Sequence, residues 1–245
     1  MTPEEEFARE KKVRISAMAD DASLRACSND WLASVTQHKY AYNFTWMGRP
    51  IIQLPQDMIA MQEIIWRIQP DLIIETGIAH GGSLVYYASL LELLGGDRLV
   101  VGIDVDIRAH NRAALETHPM IKRIRMIEGS SIDPQIVRHV ADFTKNRTRV
   151  LVTLDSNHTH EHVRAELELY SPFVTRGSYM VVFDTVVEDM PKALFPDRPW
   201  GPGNNPKTAV WDFLKNTDRF EIDSELESKL LLTVAPDGYL KCVKD

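Results

Sequence analysis

Five short, mostly apolar runs recur along the chain, each closing on an acid, a glycine or both: DLIIETG, RLVVGIDVD, IKRIRMIEG, TRVLVTLDS and GSYMVVFDT. Runs of this length suit strands buried on both faces, because a sheet covered by helices on either side has no wet face to fill with polar residues. Between them lie stretches with helical spacing. GGSLVYYASLLELLG stops at Gly95 and Gly96, RAALETH is short, DPQIVRHVADFT opens on Asp-Pro, and HTHEHVRAELELYSPFV follows the fourth run. Strict strand–helix alternation predicts an α/β fold with a doubly wound, mostly parallel, Rossmann-like sheet.

The flanks differ. QDMIAMQEIIWRI places Met58, Met61, Ile65 and Ile68 at helical spacing, and Pro70 ends that helix. Residues 1–55 read as an N-terminal helical extension or cap, and residues 56–245 as the main domain. In the extension, HKYAYNFTWMGRP is irregular and aromatic, and its Tyr40, Tyr42, Phe44 and Trp46 are expected in packing or in a subunit contact. PKALFPDRPWGPGNN predicts a long surface loop. KTAVWDFLKNT predicts a helix, and FEIDSELESKLLLTVAPDGYLKCV antiparallel strands around a Pro-Asp-Gly turn.

Composition narrows the partners. A net charge of −7 without any Lys/Arg run speaks against nucleic acid. Cys27 and Cys242 stand alone, without the spacing of a zinc site or a disulfide framework. MTPEEEFAREKKVR lacks the apolar centre of a signal peptide, and no run approaches the roughly 18 apolar residues of a membrane helix. The expected location is the cytoplasm.

Three constellations follow the first three runs. In IIETGIAHGGS, glycines after a buried strand let a ligand approach the backbone at a helix N-terminus. The stretch is neither G-x-G-x-x-G nor a Walker loop, and Glu75 would repel a pyrophosphate but can hold an ammonium group. A tight strand–helix turn is the plain alternative. In VVGIDVD, Asp104 ends the next strand, where a carboxylate can accept both hydroxyls of a ribose, with Asp106 as the substitute. In IEGSSID, Ser130, Ser131 and Asp133 can either reach an adenine edge or simply cap the next helix. Together they read as a site for an adenosine-bearing cofactor without a pyrophosphate.

ETGIAHGGS, GIDVD, LDSNHTHEHV and GSYMVVFDT resemble the cephalosporin hydroxylase / rhamnosyl O-methyltransferase family, over about residues 40 to 235. That family belongs to the class I S-adenosylmethionine-dependent methyltransferases. The resemblance implies that Glu75, Gly77 and the turn through His80 and Gly81 to Ser83 receive the methionine part of the cofactor. It implies Asp104 at the ribose, and Ser130 and Ser131 near the adenine. It also implies that Asp155 points at the reacting centre, and that Asp155 and Asp184 can share one hard cation, magnesium in relatives. Where relatives often carry Glu-Asp, this chain reads Phe183-Asp184, so Ser156, His158 or water would complete the shell.

A sugar hydroxyl must lose its proton as the methyl arrives, so a cation or a base has to assist. His158 matches the family's histidine and is the expected base, its tautomer held by a neighbouring Asp155. His160 and His162 are expected on a first helical turn facing solvent or the cleft wall. Trp200, Asn204 and Asn205, in the Gly/Pro-rich loop, are expected to contact the sugar. The sequence thus predicts a cytoplasmic S-adenosylmethionine-dependent O-methyltransferase, with Mg2+ or another divalent cation as its candidate metal. It would act on a saccharide or glycolipid precursor and form a homo-oligomer. Open alternatives are a hydroxylase component, an antibiotic methyltransferase of the same fold and a non-catalytic cofactor-binding subunit.

Overall fold

At the centre of the molecule lies β3 (Leu72–Thr76), all five of whose residues are buried. A computed structural model describes all 245 residues of the chain. Strand β3 pairs in parallel with β4 (Leu99–Asp104) on one side and β6 (Val150–Leu154) on the other, Leu72 lying opposite both Leu99 and Val150. Beyond β4 comes β5 (Ile124–Glu128); beyond β6 come β7 (Tyr179–Val182), then antiparallel β9 (Tyr239–Cys242) and β8 (Phe220–Ile222). The seven-stranded order β5-β4-β3-β6-β7-β9-β8 therefore reverses direction between β3 and β6. In open α/β sheets, that reversal opens a crevice at the carboxyl ends of the strands.

Side-chain alternation along the strands builds two cores. Ile73, Val100 and Leu151 face α3 (Pro55–Ile68) and α4 (Gly82–Leu94), packing with Met61, Ile64, Leu84 and Leu91. Leu72, Ile74, Val101 and Val152 face the opposite layer. There they meet Val140 of α6 (Pro134–Thr144), Leu167 of α7 (His160–Tyr170) and Val210 of α8 (Pro206–Leu214). α5 (Ala109–Glu116) follows β4. The doubly wound, mostly parallel sheet is as the alternation predicts.

Two regions depart from the expected pattern. α1 (Pro3–Asp20) and α2 (Ala22–Thr36) are followed not by irregular chain but by a hairpin of β1 (Phe44–Trp46) and β2 (Arg49–Ile51). Met47 and Gly48 turn it with φ of 45° and 84°, the pair of positive values a tight twisted hairpin requires. It lies over α4, where the Trp46 indole N–H donates to Ser89 Oγ at 3.0 Å and its ring meets Tyr86 edge-on. Near the C-terminus, β8 and β9 do pair antiparallel, but SELESKL between them is α9 (Ser224–Leu230). Asp223 caps it, accepting from the Leu226 N–H at 3.1 Å, so a good cap and good helix formers prevail over the strand reading. The Pro-Asp-Gly turn leads into β9 instead of joining two strands. No helix is long and apolar enough to cross a membrane.

Candidate active site

The turn after β3 is held from four sides. Gly77 takes a φ of +90°, and a Cβ there would stand 2.0 Å from the Asp155 carbonyl oxygen, so only glycine lets the β3 and β6 loops touch. A Cβ on Gly82, at the start of α4, would stand 2.1 Å from the Pro50 carbonyl oxygen of the hairpin. The Arg49 guanidinium donates twice to the His80 carbonyl, at 3.0 and 2.6 Å, and once to Asn111 Oδ1 at 2.9 Å. Asn111 in turn donates to the Ala79 carbonyl at 2.8 Å. Sequence reading missed Arg49 and Asn111, which act on a turn tens of residues away and carry no local motif. It is the His80 backbone, not its ring, that is gripped.

Beneath the turn sits Glu75, wholly buried. One carboxylate oxygen accepts from Ser83 Oγ at 2.8 Å and the other has no partner. Burial pushes its carboxyl up to about 8, the Ser83 hydrogen bond opposing part of that rise. An orphaned buried carboxylate oxygen fits a ligand ammonium group. Asp104 is already engaged: one oxygen accepts from the Ile78 and Ala79 N–H groups at 2.8 and 3.2 Å, the other from the Asp106 N–H at 3.1 Å. It braces the glycine turn, while Asp106 beside it is exposed. Ser130 is half-buried, and Ser131 is fixed to α7. Its Oγ lies 3.1 Å from His162 Nε2, and its carbonyl accepts from the Tyr170 hydroxyl at 2.9 Å. Gly77–His80, Gly82, Ser83, Asp155 and the hairpin exit Pro50–Gln53 enclose a cavity of about 40 Å³.

At the end of β6, Asp155, His158 and Asp184 each offer a ligand atom, all within 4.8 Å of one another. Burial holds the Asp155 carboxyl well above the usual carboxylate range, reinforced by the negative charges of Asp184, Glu75 and Glu166. Asp184 and Glu166 have ion-pair partners only in His158 and His162. A crowd of acids with no lysine or arginine to neutralise it, beside an imidazole, is a donor set that fits a divalent cation. Phe183 does not enter this set, being buried in the core beside α4.

The partner of His158 differs from expectation. The carboxylate against His158 is Asp184, with Oδ2 3.2 Å from Nε2, and not Asp155. Asp184 reaches it because the chain turns left-handed there, with φ of 55° just past the end of β7. The His158 ring meets Trp200 edge-on at 4.9 Å. His160 and His162 lie on the first turn of α7, each partly buried. His160 joins α7 to the loop before α8, its ring 2.8 Å from Thr208 Oγ1 and its N–H donating to Asn204 Oδ1 at 3.0 Å. His162 lies within 3.1 to 3.5 Å of Ser131, Ser156 and the buried Glu166, an acid that sequence reading overlooked as an ordinary helix residue.

The two asparagines are committed to the loop itself. Asn204 also donates to the Pro199 carbonyl, and Asn205, fully buried, caps α8 and donates to Glu188 and the Gly201 carbonyl. They brace the loop on both sides of Trp200, whose ring meets His158.

A parallel sheet that reverses between β3 and β6, with its ligand-facing loops gathered on that carboxyl edge, is the architecture of the class I methyltransferases. Within that class the chain belongs to the family described as Rhamnosyl O-methyltransferase/CmcI, which residues 38–243 match. It is similar to the rhamnosyl O-methyltransferase of Mycobacterium tuberculosis, 31% identical over 210 residues, covering 83% of this chain and 82% of that protein. The Mycobacterium leprae protein of the same name is 30% identical over 210 residues, covering 83% and 87%. Among solved structures, CmcI with Mg and SAM superposes with a TM-score of 0.58 at 18% identity, covering 83% of this chain and 78% of that one. At that identity, the structural likeness speaks to the fold.

Proposed function

We propose that the chain transfers a methyl group from S-adenosylmethionine to a hydroxyl of a saccharide, in a polysaccharide or glycolipid precursor, in the cytoplasm. The observation that carries this is the Gly77–Asp155 contact, which sets the Glu75 turn directly against the Asp155–His158–Asp184 cluster. A cofactor pocket and a proton-handling group then share one wall. The rhamnosyl O-methyltransferase relatives supply the saccharide.

In this reading Glu75 holds the cofactor's ammonium group and the turn from Gly77 through His80 and Gly81 to Ser83 cradles its methionine part. Asp104 fixes that turn and, with exposed Asp106 beside it, faces the ribose; Ser130 and Ser131 border the adenine. His158 is the base. Its Nε2 faces Asp184, which leaves Nδ1 to accept the acceptor hydroxyl's proton. Trp200 walls the approach of the sugar. Asp155 and Asp184 would hold a divalent cation, with Ser156 or water completing its shell, and when bound it would supply Lewis-acid polarisation of the hydroxyl. Ile59 and Trp66, exposed on one face of α3, would meet a second copy in a homo-oligomer.

The test is incubation of the protein and methyl-labelled S-adenosylmethionine with rhamnosylated and other glycan acceptors, read by mass spectrometry of the products. Label appearing on a saccharide oxygen is expected. Cofactor binding without label on any saccharide would leave a binding protein or a methyltransferase for another acceptor. A parallel reaction after exhaustive chelation is expected to lose turnover while calorimetry still shows S-adenosylhomocysteine binding.

A further inference from the structure

The chain's acidic balance conceals a basic cavity on the opposite edge of the sheet. At the amino-terminal ends of β6 and β7, a hollow of about 350 Å³ is lined by Arg67, Arg149, Arg176 and Lys241, with Ser178 and Tyr179, and no carboxylate lines it. These four cations come from the last turn of α3, the residue before β6, the turn before β7 and β9. Their separation along the chain is why no basic run announces them.

Two of the guanidinium groups are held in position. Arg67 donates to the Tyr179 hydroxyl at 2.6 Å and lies over that ring at 5.3 Å, while the Tyr179 hydroxyl donates to Asp223 at 2.6 Å. Arg149 donates through one nitrogen to the Ile68 carbonyl at 2.9 Å, which leaves its other N–H groups free. The acids at the rim pair loosely, Asp223 with Arg67 at 3.8 Å and Glu221 with Lys241 at 3.7 Å. Arg149 and Arg176 have no carboxylate partner. Ser178 adds an independent sign: it is 2% exposed, and its hydroxyl is buried with no hydrogen-bond partner. Buried hydroxyls are rarely left unpaired, and one in the wall of a cationic hollow points to an anion that accepts from it. Guanidinium groups held before binding lose little freedom on binding, and their planar forks match phosphate oxygens.

We propose that this cavity binds a phosphate-bearing anion of at least two negative charges, at a site separate from the methyl-transfer crevice and independent of what that crevice does. The volume admits more than a single phosphate group. Such a group can come from a soluble diphosphate or from a phospholipid head at a membrane surface, and the two are separable.

Calorimetry of the full chain with inorganic pyrophosphate at low salt, with S-adenosylhomocysteine present to fill the other edge, is expected to show one site whose affinity falls as salt rises. Arg176→Ala and, separately, Lys241→Gln are expected to weaken it at least tenfold, and Ser178→Ala several-fold. Arg176 is exposed, Lys241 makes only a loose surface pair, and thermal melts of the variants report folding independently. In a second arm, the chain is sedimented with phosphatidylcholine vesicles with and without phosphatidylglycerol. Variant-sensitive association with the anionic vesicles, but no pyrophosphate binding, would assign the ligand to a lipid head. Absence of binding in both arms, or binding unchanged by both Arg176→Ala and Lys241→Gln, overturns the proposal.

Discussion

Glu75 links the site to pH. Its carboxyl ordinarily titrates at 4.5 and is raised to about 8 in the fold, so between those values the folded chain keeps a proton that the unfolded chain has lost. Its contribution to stability is therefore complete below pH 4.5 and drains away as pH rises through about 8, by up to about 1.4 kcal/mol per pH unit. Glu75→Gln keeps the shape and removes the titration. Urea melts at pH 5, 6.5 and 8 should show the variant gaining on the parent as pH rises, while S-adenosylhomocysteine binds it at least tenfold more weakly. A parallel pH dependence in parent and variant would mean that Glu75 is not the group responsible. For His158, replacement by Ala is expected to cut turnover by about 10²–10⁴ with little change in cofactor affinity. His162→Ala should instead lower the melting temperature, because Ser131, Ser156 and buried Glu166 lose a shared partner. Single-turnover rates and melts on the two variants separate the roles. That Asp155, His158 and Asp184 would gather was legible in the sequence, from the places of the two acids at the ends of neighbouring strands and from the histidine of the family resemblance. Which carboxylate meets His158 was not legible, because it depends on a left-handed turn at Asp184 that no neighbouring residue encodes.

Elements whose burial pattern is local were read well from sequence, and those whose form depends on distant partners were not. Strands β3, β4, β6 and β7 are dense in apolar residues because both faces are covered, and that density is visible in isolation. The β1–β2 hairpin has only three residues per strand and owes its place to α4, through Trp46 on Ser89 and Pro50 on Gly82. Its sequence reads as irregular for that reason. Gly82→Ala tests the dependence directly: a methyl group 2.1 Å from the Pro50 carbonyl must push the hairpin off the start of α4. The variant is expected to melt lower, to bind S-adenosylhomocysteine more weakly and to exchange the amide hydrogens of residues 44–51 faster, while those of β3 and β6 stay protected. Unchanged exchange in the hairpin would mean that the contact does not hold it.

Across the whole molecule, the two edges of one sheet have opposite electrical characters. The carboxyl edge gathers Glu75, Asp155, Glu166 and Asp184, and the amino edge Arg67, Arg149, Arg176 and Lys241. Net charge averages this polarity away, so composition could not reveal it. The hairpin is also expected to govern timing. Ligand pockets usually enclose roughly 300–1,000 Å³, whereas the space between the glycine turn and Pro50–Gln53 is about 40 Å³. The Arg49 bonds to the His80 carbonyl tie the hairpin to that turn, and we expect the hairpin to lift when a cofactor-sized visitor enters. Arrival would then be limited by how often this door swings, not by how often a ligand knocks. Stopped-flow mixing with rising S-adenosylhomocysteine should show a rate that levels off at a ceiling, and Arg49→Ala, which loosens the latch, should raise that ceiling. The same latch would slow departure of the spent cofactor, so the waiting time between turnovers would be set by a hairpin that takes no part in the chemistry.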